Sequence, residues 1–249
     1  MGEEKKMSKR QALREKRRRD ERVKRTSIIG VIIAGAVLVA FALIYPTLKP
    51  VGAIAPANSR PRPMANDNAM GDPNAPVKIE EFSDYQCPYC ARFYEETEAQ
   101  IEDAYVATGK VYFVYRSYGN FIGPESQAAA EAAYCAGEQN KYWEYHDILM
   151  ANQTGENVGA FTDRRLQAFA EELGLDMGAF NTCYNSHKFA SRVQQDFVDG
   201  QAANVTGTPA FLITYEVNGE PKQHFIAGAY PFSEFQSQID AALAEMGLE

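Results

Sequence analysis

The sequence predicts an α/β domain with a central mixed sheet and helices on its faces, preceded by one N-terminal transmembrane helix. Three observations carry this. Short runs rich in β-branched and aromatic residues alternate with helical stretches in the order β-α-β, a helical block, then β-β-α. A 19-residue stretch, Ser27 to Tyr45, has no charge. Between the two, residues 46–75 hold Pro46, Pro50, Pro56, Pro61, Pro63 and Pro73 with few large apolar residues.

Residues 1–25 carry 12 Lys/Arg and 5 Asp/Glu, a net charge of +7, against −8 for the whole chain. They read as a basic cytoplasmic tail. A nucleic-acid-binding arm is the sharper reading of Arg17-Arg18-Arg19, but an adjacent membrane span already explains the charge. The remaining residues carry −15, so the folded part would repel a phosphate backbone, and no nucleic-acid partner is expected.

The uncharged stretch is long enough to cross a hydrocarbon core, which takes about 20 helical residues. A transmembrane helix over 26–46 follows. The basic excess before it places the N-terminus in the cytoplasm and the domain outside. A cleaved signal peptide is the rival, with Ala53-Ile54-Ala55 as a small-x-small site. The long charged leader and Pro56 after the cut argue for an uncleaved anchor. Residues 47–75 read as an extended Pro-rich linker.

The domain is expected over 76–249. Residues 77–82 read as a strand and 88–107 as a helix ended by Gly109. Residues 111–116 read as a second strand. A helical block fills roughly 122–204, with breaks near Gly137, Gly155, Gly174 and Ser186. Residues 209–217 and 223–227 form a hairpin around Asn218-Gly219, and 232–246 an amphipathic last helix.

Of the four cysteines, Cys87 and Cys90 stand two residues apart, between a strand and a helix. A thiolate, not a thiol, attacks a disulfide. A helix N-terminus offers free N–H groups and partial positive charge that lower the pKa of Cys87. Pro88 fits the first helical turn, where a missing N–H costs nothing. Cys90 then lies within reach to resolve a mixed disulfide. Half a zinc site or a structural bridge are the bland readings. A zinc site wants a second close pair or His at ligand spacing, and His146, His187 and His224 lie singly. No metal and no cofactor are expected.

Strand, Cys87-Pro88-Tyr89-Cys90, helix, and later Gly207-Thr208-Pro209 before a strand resemble the thioredoxin superfamily. The inserted helical block resembles its DsbA-like branch of thiol:disulfide oxidoreductases, over about residues 76–247. The resemblance implies a thioredoxin-like fold with an inserted helical domain. It also implies a cis Pro209 lying against the redox cysteines, and a Thr208 backbone that pairs with an extended substrate segment. Glu81 shares a strand face with Val77 and Ile79. Family members often carry an acid there, buried below the cysteines, that relays protons to Cys90; a solvent-facing strand residue is the alternative. Related sequences carry a cysteine pair in the inserted helices, which implies a structural Cys135–Cys183 disulfide in place of two buried free thiols.

The implied activity is thiol–disulfide exchange on unfolded or newly exported proteins, most simply disulfide formation. An integral-membrane, quinone-linked oxidase would reoxidise the pair. Tyr89 stands where strong oxidases carry His, and Thr208 resembles reductase and isomerase relatives, so a milder oxidant is expected. A reductase or isomerase is the alternative within the fold. A tethered metal chaperone or non-catalytic binding module is the alternative outside it. Tyr85 and Tyr89 flank the cysteines as candidate substrate contacts, and Trp143 reads as core. Asn152 and Asn204 match glycosylation sequons, which such short matches do by chance.

Overall fold

The structure is a computed structural model, and it describes residues 9–48, 51–57 and 59–248. It divides into two units at Pro50/Val51.

The first unit is one helix, α1 (Lys9–Leu48), 40 residues long. Its apolar part meets the length and composition needed to cross a membrane, and its side chains are exposed. Residues 1–8 of the expected basic tail lie outside the described residues.

The second unit is built on five strands: β1 (Ala69–Met70), β2 (Val77–Ser83), β3 (Val111–Ser117), β4 (Ala210–Val217) and β5 (Glu220–Ala227), in the order β1-β3-β2-β4-β5. Only β2 and β3 run parallel. They are joined by α2, a continuous helical run over 88–106. It is α-helical over Pro88–Phe93 and Ala99–Ile101, with π-turns over Tyr94–Glu98 and Glu102–Val106. Between β3 and β4 stand α3 (Pro124–Gly137), α4 (Tyr142–Ala151), α5 (Asp163–Glu172), α6 (Met177–Asn185) and α7 (Ala190–Ala202). The chain ends with α8 (Phe232–Glu245). The β4–β5 turn places Asn218 at φ 55° and Gly219 at φ 81°, the paired left-handed residues that a tight hairpin needs.

The expected linker differs from the observed chain path. Residues 69–70 form β1, pairing Ala69 with Val114 and Met70 with Phe113. Arg62 is buried in an ion cluster with Glu98, Glu102 and Asp147. Ala55 exchanges two hydrogen bonds, 2.8 and 2.9 Å, with the Asn152 side chain. The cause is that prolines remove donors without preventing side-chain docking, so a Pro-rich stretch bearing Arg and Asn can still pack. The folded unit therefore starts well before residue 76. The two sequons read differently in the fold: Asn152 is buried, and Asn204 sits in the left-handed region that closes α7.

Three aromatic rings set α2 on the sheet. Phe93 of α2 lies 4.5 Å from Phe211 of β4 and 5.4 Å from Phe235 of α8, ring centre to ring centre. Phe211 and Phe235 are 4.7 Å apart. Such pairs contribute about 0.5–1.5 kcal/mol each beyond the area they bury, and here they fix where α2 begins.

Candidate active site

β2 ends at Ser83, and a turn delivers the chain to α2. Asp84 organises that turn. Its Oδ1 accepts from the Gln86 N–H at 2.9 Å, its Oδ2 from the Ile122 N–H at 3.3 Å, and its carbonyl from the Cys87 N–H at 2.9 Å. Cys87 is left as the extended residue before the first turn, φ −75° and ψ 121°, with Pro88 opening the helix. The Cys90 and Ala91 N–H groups donate to the Cys87 carbonyl at 3.1 and 3.2 Å.

The two sulfurs are free and differ in environment. Cys87 retains 6% of its surface and Cys90 none. A hydrogen bond from Cys90 is the largest influence on Cys87. Help from Thr208 and the backbone N–H groups of Cys90 and Tyr89 outweighs burial, and its pKa falls to about 6. Burial holds Cys90 well above the ordinary thiol range, reinforced by donation to Cys87 and by the charges of Cys87 and Glu81. The Asp84 N–H donates to Cys90 Sγ at 3.5 Å.

Glu81 lies beneath, 1% exposed. Burial raises its pKa to about 8, the charge of Cys87 adds to this, and the Ser83 hydroxyl opposes it. The solvent-facing alternative for this residue does not match the structure. Asp84, which the sequence did not single out, is pushed up to about 6, chiefly by burial.

The facing wall is the Thr208–Pro209 peptide, which is cis. The Cys87 thiol donates to the Thr208 carbonyl at 3.3 Å. Phe121, Ile122 and Glu156 line the groove at Cys87 on one side, and Tyr89, Arg92 and Tyr230 on the other. Arg92 covers the Tyr89 ring at 5.1 Å. Tyr89, Phe121, Phe225 and Tyr230 are large and exposed around this groove. Sequence reasoning missed all but Tyr89, because the other three lie far from the cysteines along the chain and carry no local motif. Tyr85, by contrast, is core: it is 1% exposed and stacks on Tyr115 at 5.3 Å. Trp143 is core too, its indole N–H donating to the Ala69 carbonyl.

Cys135 and Cys183 are joined to each other, with Cα atoms 5.8 Å apart, linking α3 to α6. Among the described residues, no three His, Cys, Asp or Glu side chains stand together as metal ligands would.

Comparison with known proteins adds to this geometry. The sequence model of the family described as Thioredoxin matches residues 64–241, which include both cysteines and the Thr208–Pro209 peptide.

This chain belongs to the thioredoxin family.

Within it, the chain is similar to part of the Na(+)/H(+) antiporter NhaA 1 of Salinispora arenicola, 31% identical over 179 residues. That match covers 72% of this chain and 25% of the antiporter. The chain spans about a quarter of the length of the antiporters it first matches. It is 26% identical over 154 residues to "Probable disulfide bond formation protein D" of Bacillus anthracis, covering 60% of this chain and 70% of that protein. The crystal structure of oxidised BdbD from Bacillus subtilis superposes with a TM-score of 0.62 at 23% identity. It covers 76% of this chain and 98% of that one. At that identity the superposition speaks for the thioredoxin-like fold with inserted helices. The family match begins at residue 64, ahead of residue 76, in keeping with the folded start seen above.

Proposed function

We propose that this chain is a thiol:disulfide oxidoreductase that introduces disulfides into exported polypeptides, with Cys87 as nucleophile and Cys90 as resolving thiol. The asymmetry of the pair carries the reading. One sulfur is reachable and held toward the thiolate; the other is sealed and held as the thiol.

In the oxidised enzyme a substrate thiolate attacks Cys87 Sγ, the sulfur that has exposed surface. The Cys87–Cys90 bond breaks and Cys90 leaves as a thiolate that its burial disfavours. Glu81 supplies a proton: with a pKa of about 8 it is protonated near neutral pH. The second substrate thiolate then attacks the mixed disulfide and expels Cys87. A low-pKa thiol leaves faster, so this geometry favours release of oxidised substrate. A thiolate-stabilised dithiol is also the basis of an oxidising potential. The Thr208 backbone aligns an extended segment by strand-like pairing, and the exposed aromatic rim receives apolar side chains of unfolded chains.

In this proposal α1 anchors the enzyme, with the basic tail inside and the domain outside the membrane. A quinone-linked integral-membrane oxidase regenerates the disulfide. The name of the Bacillus anthracis relative supports disulfide formation over reduction.

The test mixes oxidised protein with a peptide carrying two thiols. The expected result is one peptide disulfide per enzyme and no product with Cys87→Ser. Reduced Cys90→Ser, mixed instead with the peptide in its disulfide form, should hold an enzyme–peptide mixed disulfide on Cys87, one peptide sulfur leaving as the thiol. Product formation by Cys87→Ser would sink the assignment.

A further inference from the structure

Three buried oxygens beneath the redox pair have no hydrogen-bond partner: Glu81 Oε2, Ser83 Oγ and Tyr115 Oη. Buried polar groups in folded proteins are nearly always paired, so three in one place call for an explanation. Their placement is not scattered. Glu81 and Ser83 are two residues apart on β2 and therefore share a face. Tyr115 is the register partner of Glu81 on parallel β3, and Ser117 that of Ser83. Ser83, Tyr115 and Cys90 have no exposed surface. The Ser83 hydroxyl acts on Glu81, Cys90 and Tyr115 alike, while forming a settled hydrogen bond with none of them.

A hydroxyl is suited to this position because it accepts one proton while donating another. Cys90 has no exposed surface and Glu81 only 1%, so a proton moving between them passes among the groups that line this site.

We propose that the Ser83 hydroxyl carries the proton between Glu81 and Cys90. This rests on the reading of Cys87–Cys90 as an exchange centre. In the oxidising step the substrate S–Cys87 bond forms and the Cys87–Cys90 bond breaks. The electron pair of the broken bond stays on Cys90. Ser83 gives its proton to that sulfur and takes the proton of Glu81, leaving a carboxylate. In the reverse step each transfer runs backwards. No oxidant beyond the enzyme disulfide is needed.

The groups that face this site are few. α2 contributes Cys90 and, further along, Glu98, and the turn before it Cys87 and Asp84. The loop before it contributes Tyr85, β3 contributes Tyr115, and β4 places apolar Phe211 opposite Glu81. Ser83 differs from all of them in that its loss removes a hydroxyl without removing a charge or a ring.

That difference sets the experiment. Full-length protein in detergent, in its oxidised form, reacts in a single turnover with a two-thiol peptide. The rate of mixed-disulfide formation is followed across pH for wild type, Ser83→Ala, Ser83→Thr and Glu81→Gln, with urea unfolding of each. Ser83→Ala is expected to fold with a stability close to that of wild type, because it removes one buried hydroxyl and neither a charge nor a ring. It is expected to form the mixed disulfide roughly a hundredfold or more slowly, within the range ascribed to positioned proton transfer. Its pH profile should lose the limb that Glu81→Gln also removes, and Ser83→Thr should restore it. A Ser83→Ala protein with the wild-type rate and profile, beside an altered Glu81→Gln, overturns the Ser83 assignment alone. A Ser83→Ala protein that is markedly unstable or unfolded makes the hydroxyl structural and overturns it as well. A wild type that forms no mixed disulfide removes the exchange reading itself.

Discussion

Arg62 donates two parallel hydrogen bonds of 2.8 Å to Asp147, across 85 residues of sequence. Both side chains are shut away from water, and Arg62 also meets Glu98 at 2.9 Å and Glu102 at 3.1 Å. The stretch ahead of β1 is thus tied to α2 and α4. Truncating one partner of a buried pair strands the other, at a cost of about 3–5 kcal/mol. Arg62→Ala should lose that much stability in urea. Arg62→Lys should recover only part of it, since an ammonium does not span two carboxylate oxygens as the planar fork does. A loss below about 1 kcal/mol, the level of an exposed pair, would contradict this account of the segment.

Glu81 makes stability depend on pH. In the folded reduced protein it keeps its proton up to about 8, whereas its ordinary value is 4.5. Between those values the folded state holds the extra proton, so stability falls as pH rises through that window. Glu81→Gln removes the effect. The reduced variant should match wild type at acid pH, below the ordinary value, and exceed it above about 8. Denaturant unfolding at the two extremes checks this. A variant that is weaker in alkali would contradict it.

The Cys87 thiolate should be visible directly. Ultraviolet thiolate absorbance of the reduced protein should titrate near 6, and Cys87→Ser should abolish that transition. Cys90→Ala should move it upward, because the Cys90 hydrogen bond is the largest influence lowering it. The sign for stability is opposite to that of Glu81. The reduced fold gains from this thiolate above the ordinary thiol range and loses the gain as pH falls through 6.

The Cys135–Cys183 bridge closes a span of 48 residues. Removing it by paired Ala substitution should cost about 4 kcal/mol in the loop-entropy picture, within a range of about 2–5. Exchange at Cys87 should persist in the folded fraction. Calorimetry beside the peptide assay checks both, and a loss of exchange in fully folded protein would show a further role for the bridge.

What was legible in the sequence was local. Cys87, Pro88 and Cys90 announce themselves because strand, turn and helix start are adjacent in the chain. Thr208-Pro209 was recognisable only beside them. Glu81 could be placed on a face by strand alternation, but not shown to be buried until β3, β4 and α2 enclosed it. The Arg62–Asp147 pair was invisible for the opposite reason. Its partners are 85 residues apart, and the prolines around Arg62 read as linker. The rim residues Phe121, Phe225 and Tyr230 are assembled by three separate loops and strands, so no spacing rule connects them to Cys87. The two π-turns in α2 left no mark in the apolar pattern, yet Glu98 and Glu102, which meet Arg60 and Arg62, lie in them.

In the proposed function, Cys87 and Cys90 form an oxidising exchange pair. Equilibration of the full-length protein with glutathione buffers, reading the Cys87–Cys90 dithiol fraction, tests it most directly. The potential should lie between about −120 mV, the value for a strong oxidase, and about −200 mV, because Cys87 is held toward the thiolate less strongly than in the strongest oxidants. A value near −270 mV, that of thioredoxin, would contradict it and make the protein a reductase.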